Sequence, residues 1–169
     1  MRRTLSLVVA LVATFALAGT ALGAITFHSG PTLAWSSDGS SATATGNLSG
    51  LGNTPATAEL QITTSYTYTC QNKGGNVAPG QTSVEVVGAP GEQDLGRTDR
   101  NGRSSLLVTA FAGVAEATVS GRVAGCPNGN WMGVSPVSTG PATAVLTITQ
   151  GGVDIYSATF TYPSTVPNA

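Results

Sequence analysis

From Glu59 to Gln71 the chain alternates strictly. The even positions are Leu60, Ile62, Thr64, Tyr66, Tyr68 and Cys70, and the odd positions are Glu59, Gln61, Thr63, Ser65, Thr67, Thr69 and Gln71. Successive side chains of a strand point to opposite faces, so this pattern predicts a long strand with one buried and one wet face. The same period of two predicts further strands at Ser41–Leu48, Thr82–Val87, Ser104–Ala112, Thr118–Val123, Ala142–Thr149 and Val153–Tyr162, with a short edge strand near Thr32–Trp35. Seven or eight strands separated by turn signals predict an all-β fold, an antiparallel β-sandwich. An immunoglobulin-like arrangement is one way to connect such strands. Its hallmark Trp between the cysteines is absent, however, since Trp35 precedes Cys70 and Trp131 follows Cys126.

Two turns carry specific chemistry. Gln150-Gly151-Gly152-Val153 joins two alternating segments through a Gly-Gly pair that tolerates the positive φ of a primed two-residue turn, and Asn101-Gly102 does the same between Thr98 and Ser104. Both predict β-hairpins. The longest predicted loops are Asn72–Gly80, rich in glycine, and Pro127–Pro136, which contains Trp131 and Met132. No internal repeat or linker divides the chain, so residues 24–169 are read as a single domain.

The start of the chain follows a different pattern. Arg2 and Arg3 precede an uncharged, mostly apolar run from Leu5 to Ala18, which is short for a membrane span, and Ala21-Leu22-Gly23 places small residues where a signal peptidase reads them. Residues 1–23 are therefore read as a signal peptide cleaved after Gly23, with cleavage after Ala18 or retention as an N-terminal anchor as the competing readings. Sec and twin-arginine export both stay open, because a basic start is common to the two. No cysteine stands at the cleavage site to take a lipid anchor, and the product is expected in the extracellular medium without a membrane anchor.

Removing the leader changes the charge. Lys73, Arg97, Arg100, Arg103 and Arg122 then face eight acids, a net charge near −3. So few cations cannot neutralise many phosphates, which argues against nucleic acid and anionic membranes as partners. Only 9% of the residues are charged, and the abundance of Thr, Ser, Gly and Val favours strands and turns over helices. Cys70 and Cys126 are the two cysteines, and in an oxidising compartment their simplest state is a disulfide with each other, two free buried thiols being the alternative.

Candidate chemistry is sparse. His28, the one histidine, sits close to the expected mature N-terminus, so it makes a poor general base and leaves a metal site short of ligands. No cofactor or metal is expected. Glu92 and Asp94 could form a carboxylate pair for glycoside hydrolysis, but beside Pro90 and Gly91 they read more simply as a solvated turn. Asp94, Asp99 and Asn101 offer oxygen ligands without the spacing of a calcium loop. Gly74-Gly75 lacks the Gly-Lys-Ser/Thr of a phosphate cradle. Tyr66 and Tyr68 fall on the buried face and read as core. Trp131 stands apart: a large aromatic in a Gly/Asn loop must either fold over the core or face solvent, where it would stack on a sugar or anchor a partner.

The stretch from Tyr66 through Cys70-Gln71-Asn72-Lys73-Gly74-Gly75-Asn76 to Gln81, with the later cysteine in Gly125-Cys126-Pro127, resembles small secreted proteins of soil bacteria and fungi that carry no assigned function. That resemblance implies a location and no activity. In its Ala/Gly/Ser/Thr/Val composition the chain is also similar to actinomycete apo-chromoproteins, immunoglobulin-like carriers of small molecules, although those have two short-loop disulfides where this chain has one long one.

These observations point to a non-catalytic extracellular binding or surface-associated protein, with a glycan, cell-wall or protein partner. The alternatives are a small-molecule carrier or an inhibitor of a secreted enzyme, and then a carboxylate-dependent hydrolase. The leader yields the first prediction: N-terminal sequencing of the protein recovered from culture medium reads Ala24 first, and material that begins at Met1 refutes the assignment.

Overall fold

The computed structural model describes residues 25–96, 103–163 and 167. The leader with its cleavage point after Gly23, the Asn101-Gly102 turn and Asp99 lie outside the described residues. Among those described there are eleven strands and no helix: β1 (Thr26–Trp35), β2 (Ser41–Ser49), β3 (Ala56–Gln71), β4 (Val77–Pro79), β5 (Val84–Val87), β6 (Gly91–Gly96), β7 (Arg103–Phe111), β8 (Thr118–Ser120), β9 (Met132–Ser138), β10 (Thr143–Gln150) and β11 (Val153–Thr161). They form two antiparallel sheets, β1-β2-β7 and β11-β10-β3-β9-β8, with β4, β5 and β6 also paired to β3. The arrangement is a β-sandwich.

The alternating segment is its spine. One edge of β3 carries β9 along Tyr66–Gln71 and then β10 along Ala56–Thr63. The other carries β4 along Thr69–Gln71, β5 along Thr63–Tyr66 and β6 along Ala56–Leu60. Hydrogen-bonded on both edges, β3 can turn only its faces toward other parts of the chain. Its even residues Ala56, Ala58, Leu60 and Ile62 are buried against Leu33, Ala44, Leu48, Leu106 and Val108 of the facing sheet. Alanine at Ala42, Ala44, Ala58, Ala110 and Ala144 lets the two sheets approach, while Leu60, Ile62, Leu146, Ile148 and Phe160 supply the bulk. Each such large side chain contributes about 1.5–3 kcal/mol by leaving water.

Toward its C-terminus β3 runs beyond the three-stranded sheet, and the same face enters a second, smaller core of Tyr68, Cys70 and Ala124. The segment leaving β7 crosses over it and is held by two hydroxyls: Tyr66 donates to Gly113 O at 3.4 Å and Tyr68 to Glu116 O at 3.1 Å. Between the two cores lies Thr64, whose buried hydroxyl lacks a hydrogen-bond partner among the described residues. The odd residues Gln61, Thr63, Ser65 and Thr67, expected to face water, are half-buried, because the strand is flanked on both sides in its centre.

The flanks of the sandwich close differently. On one side Phe27 packs on Tyr156 at 4.9 Å and Trp35 on Tyr162 at 5.6 Å between ring centroids. On the other, the Gln93 carboxamide of β6 accepts from Leu107 N at 2.7 Å and donates to Ser105 O at 3.0 Å, occupying the free edge of β7 as a neighbouring strand would. β7 also passes so near the β5–β6 junction that a Cβ on Gly88 or Gly91 would strike the carbonyl oxygen of Phe111 or Thr109.

Several expectations need correction. The hairpin at Gly151-Gly152 is present, with both glycines at positive φ (59° and 81°) between β10 and β11. The hairpin expected at Asn101-Gly102 falls on residues outside those described; among the described residues β6 pairs with β3 and β7 with β2. Glu92 and Asp94 lie on strand β6 rather than in a turn, and the predicted loops contain β4 and β9. β9 escaped the alternation because Ser135, at φ 51°, and Pro136 form a bulge against Thr67–Thr69, the kind of position where a sheet admits proline. Thr118–Val123 shortens to β8 because Ala124 N bonds back to Ser120 O in a turn.

Ile62 is fully buried and Thr63 is not. Ile62→Ala is expected to cost about 2–5 kcal/mol and Thr63→Ala under about 1 kcal/mol, read from denaturant unfolding. Equal losses would mean that the two faces of β3 are not distinguished.

Candidate functional site

Two loops at the far end of β3 make a cleft. The first continues β3 as a tight turn over Asn72–Asn76. Asn72 O accepts from Gly75 N at 3.0 Å, while the Asn72 side-chain oxygen accepts from Gly74 N and from Asn76 N, both at 2.9 Å. The second leads into β9 over Asn128–Trp131. Asn128 O accepts from Trp131 N at 3.2 Å, and the Asn128 side-chain oxygen accepts from Asn130 N at 3.0 Å. Asparagine suits both places because its short carboxamide folds back onto the backbone two residues on.

Covalent chemistry and strand pairing bring the loops together. Cys70 and Cys126 form a disulfide with a Cα–Cα distance of 5.6 Å, and each cysteine stands two residues before the asparagine that starts a wall of the cleft. The next residues continue as neighbouring strands, with Cys70 opposite Gly133 and Gln71 opposite Met132. β8 adds a third side, with Thr118 opposite Val134. The disulfide joins β3 to the connection that enters β9, two neighbours in one sheet, and does not cross between the sheets of the sandwich.

The cleft so formed has a volume of about 820 Å³, within the usual range for ligand sites, and its floor and walls are Trp131, Met132, Asn72, Lys73, Asn128 and Thr118. Trp131 does both things expected of it. It is half-buried, packing partly against the Tyr68–Cys70–Ala124 core, and the rest of the indole lines the cleft. Met132 beside it is 50% exposed. The donor and acceptor pattern is lopsided. The Asn72 side-chain oxygen is saturated by two N–H groups of its own loop and the Asn128 oxygen accepts one, so the NH2 donors of these two residues outnumber the acceptor positions they have left.

The other residues singled out by sequence lie elsewhere. His28 is exposed on β1 with its Nε2 2.8 Å from Ser49 Oγ. Glu92 and Asp94 are exposed on β6, where Glu92 stands opposite Glu59 and Asp94 accepts from Gly96 N at 2.7 Å. Among the described residues no group of three or more His, Cys, Asp or Glu side chains is arranged to hold a metal. In the β1–β2 turn the Asp38 carboxyl is lowered to about 2 by the Ser40 backbone N–H and the Ser36 and Ser40 hydroxyls; it lines another groove. Sequence reasoning found Trp131 and missed Asn72, Lys73 and Asn128. A signal for them exists, since Cys70-Gln71-Asn72 and Cys126-Pro127-Asn128 repeat a Cys-x-Asn order, but it becomes legible only once the cysteines are known to pair.

The disulfide closes a separation of 56 residues. On the chain-entropy account it contributes about 4 kcal/mol, a large share of the roughly 5–15 kcal/mol typical of a domain. Reduction is expected to lower the melting temperature and to speed hydrogen exchange at residues 72–76 and 128–131, while amides in the Ala56–Ile62 and Ala144–Ile148 ladder keep more of their protection. Unchanged exchange at both loops would show that strand pairing alone holds the cleft. No protein-family model, no curated protein and no solved structure matches this chain.

Proposed function

We propose that the protein is a secreted, non-catalytic glycan-binding β-sandwich that seats a sugar ring on the indole of Trp131. The observation that carries this reading is a half-buried Trp in an open cleft, fixed by two disulfide-rooted turns and bordered by asparagine amides. A sugar presents an apolar C–H face and a rim of hydroxyls, and the cleft offers the complement of each: an aromatic plane and outward hydrogen-bond donors. Turns held by their own side chains lose little conformational entropy on binding, which favours affinity. Secretion belongs to the same reading, supported by the leader pattern and by a disulfide of the kind that persists in oxidising compartments.

The alternatives have less support. A carrier needs space between the sheets, and the buried cluster of leucine, isoleucine, alanine and phenylalanine side chains fills it. A hydrolase built on Glu92 and Asp94 needs them to face each other in a groove, whereas both are exposed on β6 and line none of the clefts described. Binding to a secreted protein is favoured by one observation, a groove of about 450 Å³ lined by Val84, Val87, Val114 and Val123 between Glu85 and Glu116, with Val114 89% exposed.

A glycan array and a cell-wall pull-down with the oxidised protein test the proposal. Trp131→Ala is expected to weaken carbohydrate binding at least about tenfold, as loss of an aromatic anchor does, with Trp131→Phe intermediate. Binding unchanged in Trp131→Ala, with the fold intact by thermal melting, refutes the sugar site. A protein contact at the valine groove would survive that substitution.

A further inference from the structure

We infer that the sugar held in this cleft carries a carboxylate, so that the ligand class is a uronic-acid glycan rather than a neutral one; the inference rests on the glycan reading above. Three observations on separate residues converge on it.

The first is charge. Lys73, the one lysine of the chain, lines the cleft from the Asn72–Asn76 turn, and no Asp or Glu lines it among the described residues. Acids outnumber cations in this chain, so a cleft bordered by a cation and no acid departs from the surface around it. The acid nearest in sequence to the lining, Glu116, opens onto the neighbouring valine groove instead, and charges farther away than about 8 Å are largely screened at physiological salt. Lys73 forms no ion pair with the described residues that would neutralise it within the protein.

The second is the locked orientation of the amides. A carboxamide normally offers a ligand both a donor and an acceptor. The Asn72 side-chain oxygen accepts two backbone N–H groups of its own turn and the Asn128 oxygen accepts one, which leaves the two NH2 groups as donors against one remaining acceptor lone pair, on Asn128. Together with the Lys73 ammonium, the cleft therefore presents more donors than acceptors; Thr118, Gln71 and Asn130 can serve as either. Neutral sugar hydroxyls donate as readily as they accept and would leave such a set partly unmatched. A carboxylate accepts only, and bonds to it are charge-assisted and stronger.

The third is the aromatic floor. In a hexuronic acid the carboxylate is borne on the ring, so a ring stacked on Trp131 carries its charge at the rim, toward the walls that hold Lys73 and the amides, while its C–H face meets the indole. An inorganic anion would satisfy the walls and leave the indole unused.

The test is calorimetric titration of the oxidised full-length secreted protein with oligogalacturonate, with its methyl ester, which keeps the backbone and removes the charge, and with dextran sulfate. Oligogalacturonate is expected to bind at least about tenfold more tightly than the ester, and Lys73→Gln to remove most of that difference. Equal binding of acid and ester, unmoved by Lys73→Gln, overturns the carboxylate assignment while leaving Trp131 as a neutral-sugar site. Dextran sulfate binding as tightly as oligogalacturonate, with Trp131→Ala without effect on either, overturns it in favour of plain polyanion attraction. If no carbohydrate on the array or in the titration binds, the glycan reading itself fails and this inference with it.

Discussion

The backbone pairing of β3 on both edges is the constraint from which the other features follow. A sixteen-residue strand with neighbours along each side has only its two faces left for packing, and its period of two assigns every even residue to one of them. The facing sheet of three strands covers only the first half of that face. The remainder needs another cover, and the crossover from β7 to β9 provides it, tied down by the hydroxyls of Tyr66 and Tyr68 and by the disulfide at Cys70. One strand thus serves two cores, and the site lies where the second core meets solvent.

A cleft built this way is rigid for a local reason. Each wall of the cleft is a short turn whose asparagine side chain replaces missing backbone partners, and each begins two residues after a cysteine of the same disulfide. The bond restrains the roots of the walls, and the strand pairing of Gln71 with Met132 fixes their separation. The acceptor positions that stiffen the turns are no longer open toward the cleft.

The flanks of the sandwich follow a related logic. A free strand edge is a template for unwanted pairing, and here the edge of β7 is occupied by the Gln93 carboxamide while β1 is interrupted by Pro31 and by irregular register with β2. A protein with few charges on its surface has little electrostatic repulsion to keep copies apart, which gives such local blocking devices more weight.

Alternation along the chain was enough to determine the all-β class, the long central strand, the burial of Leu60, Ile62, Thr64, Tyr68 and Cys70 though not of Tyr66, which is half-buried, and the hairpin at Gly151-Gly152, because each of these depends on neighbours within a few residues. Composition and the presence of two cysteines suggested the disulfide for the same kind of reason. Tertiary structure alone decided that Gly91–Gly96 and Met132–Ser138 are strands, since their glycine, proline and acidic residues have little intrinsic β preference and are held extended by pairing with β3. It also decided that Asn72, Lys73 and Asn128 share a cleft with Trp131. Residues 72 and 128 are distant along the chain, and no periodic signal spans such an interval; only the closure of Cys70 on Cys126 and the strand pairing beside it place them face to face.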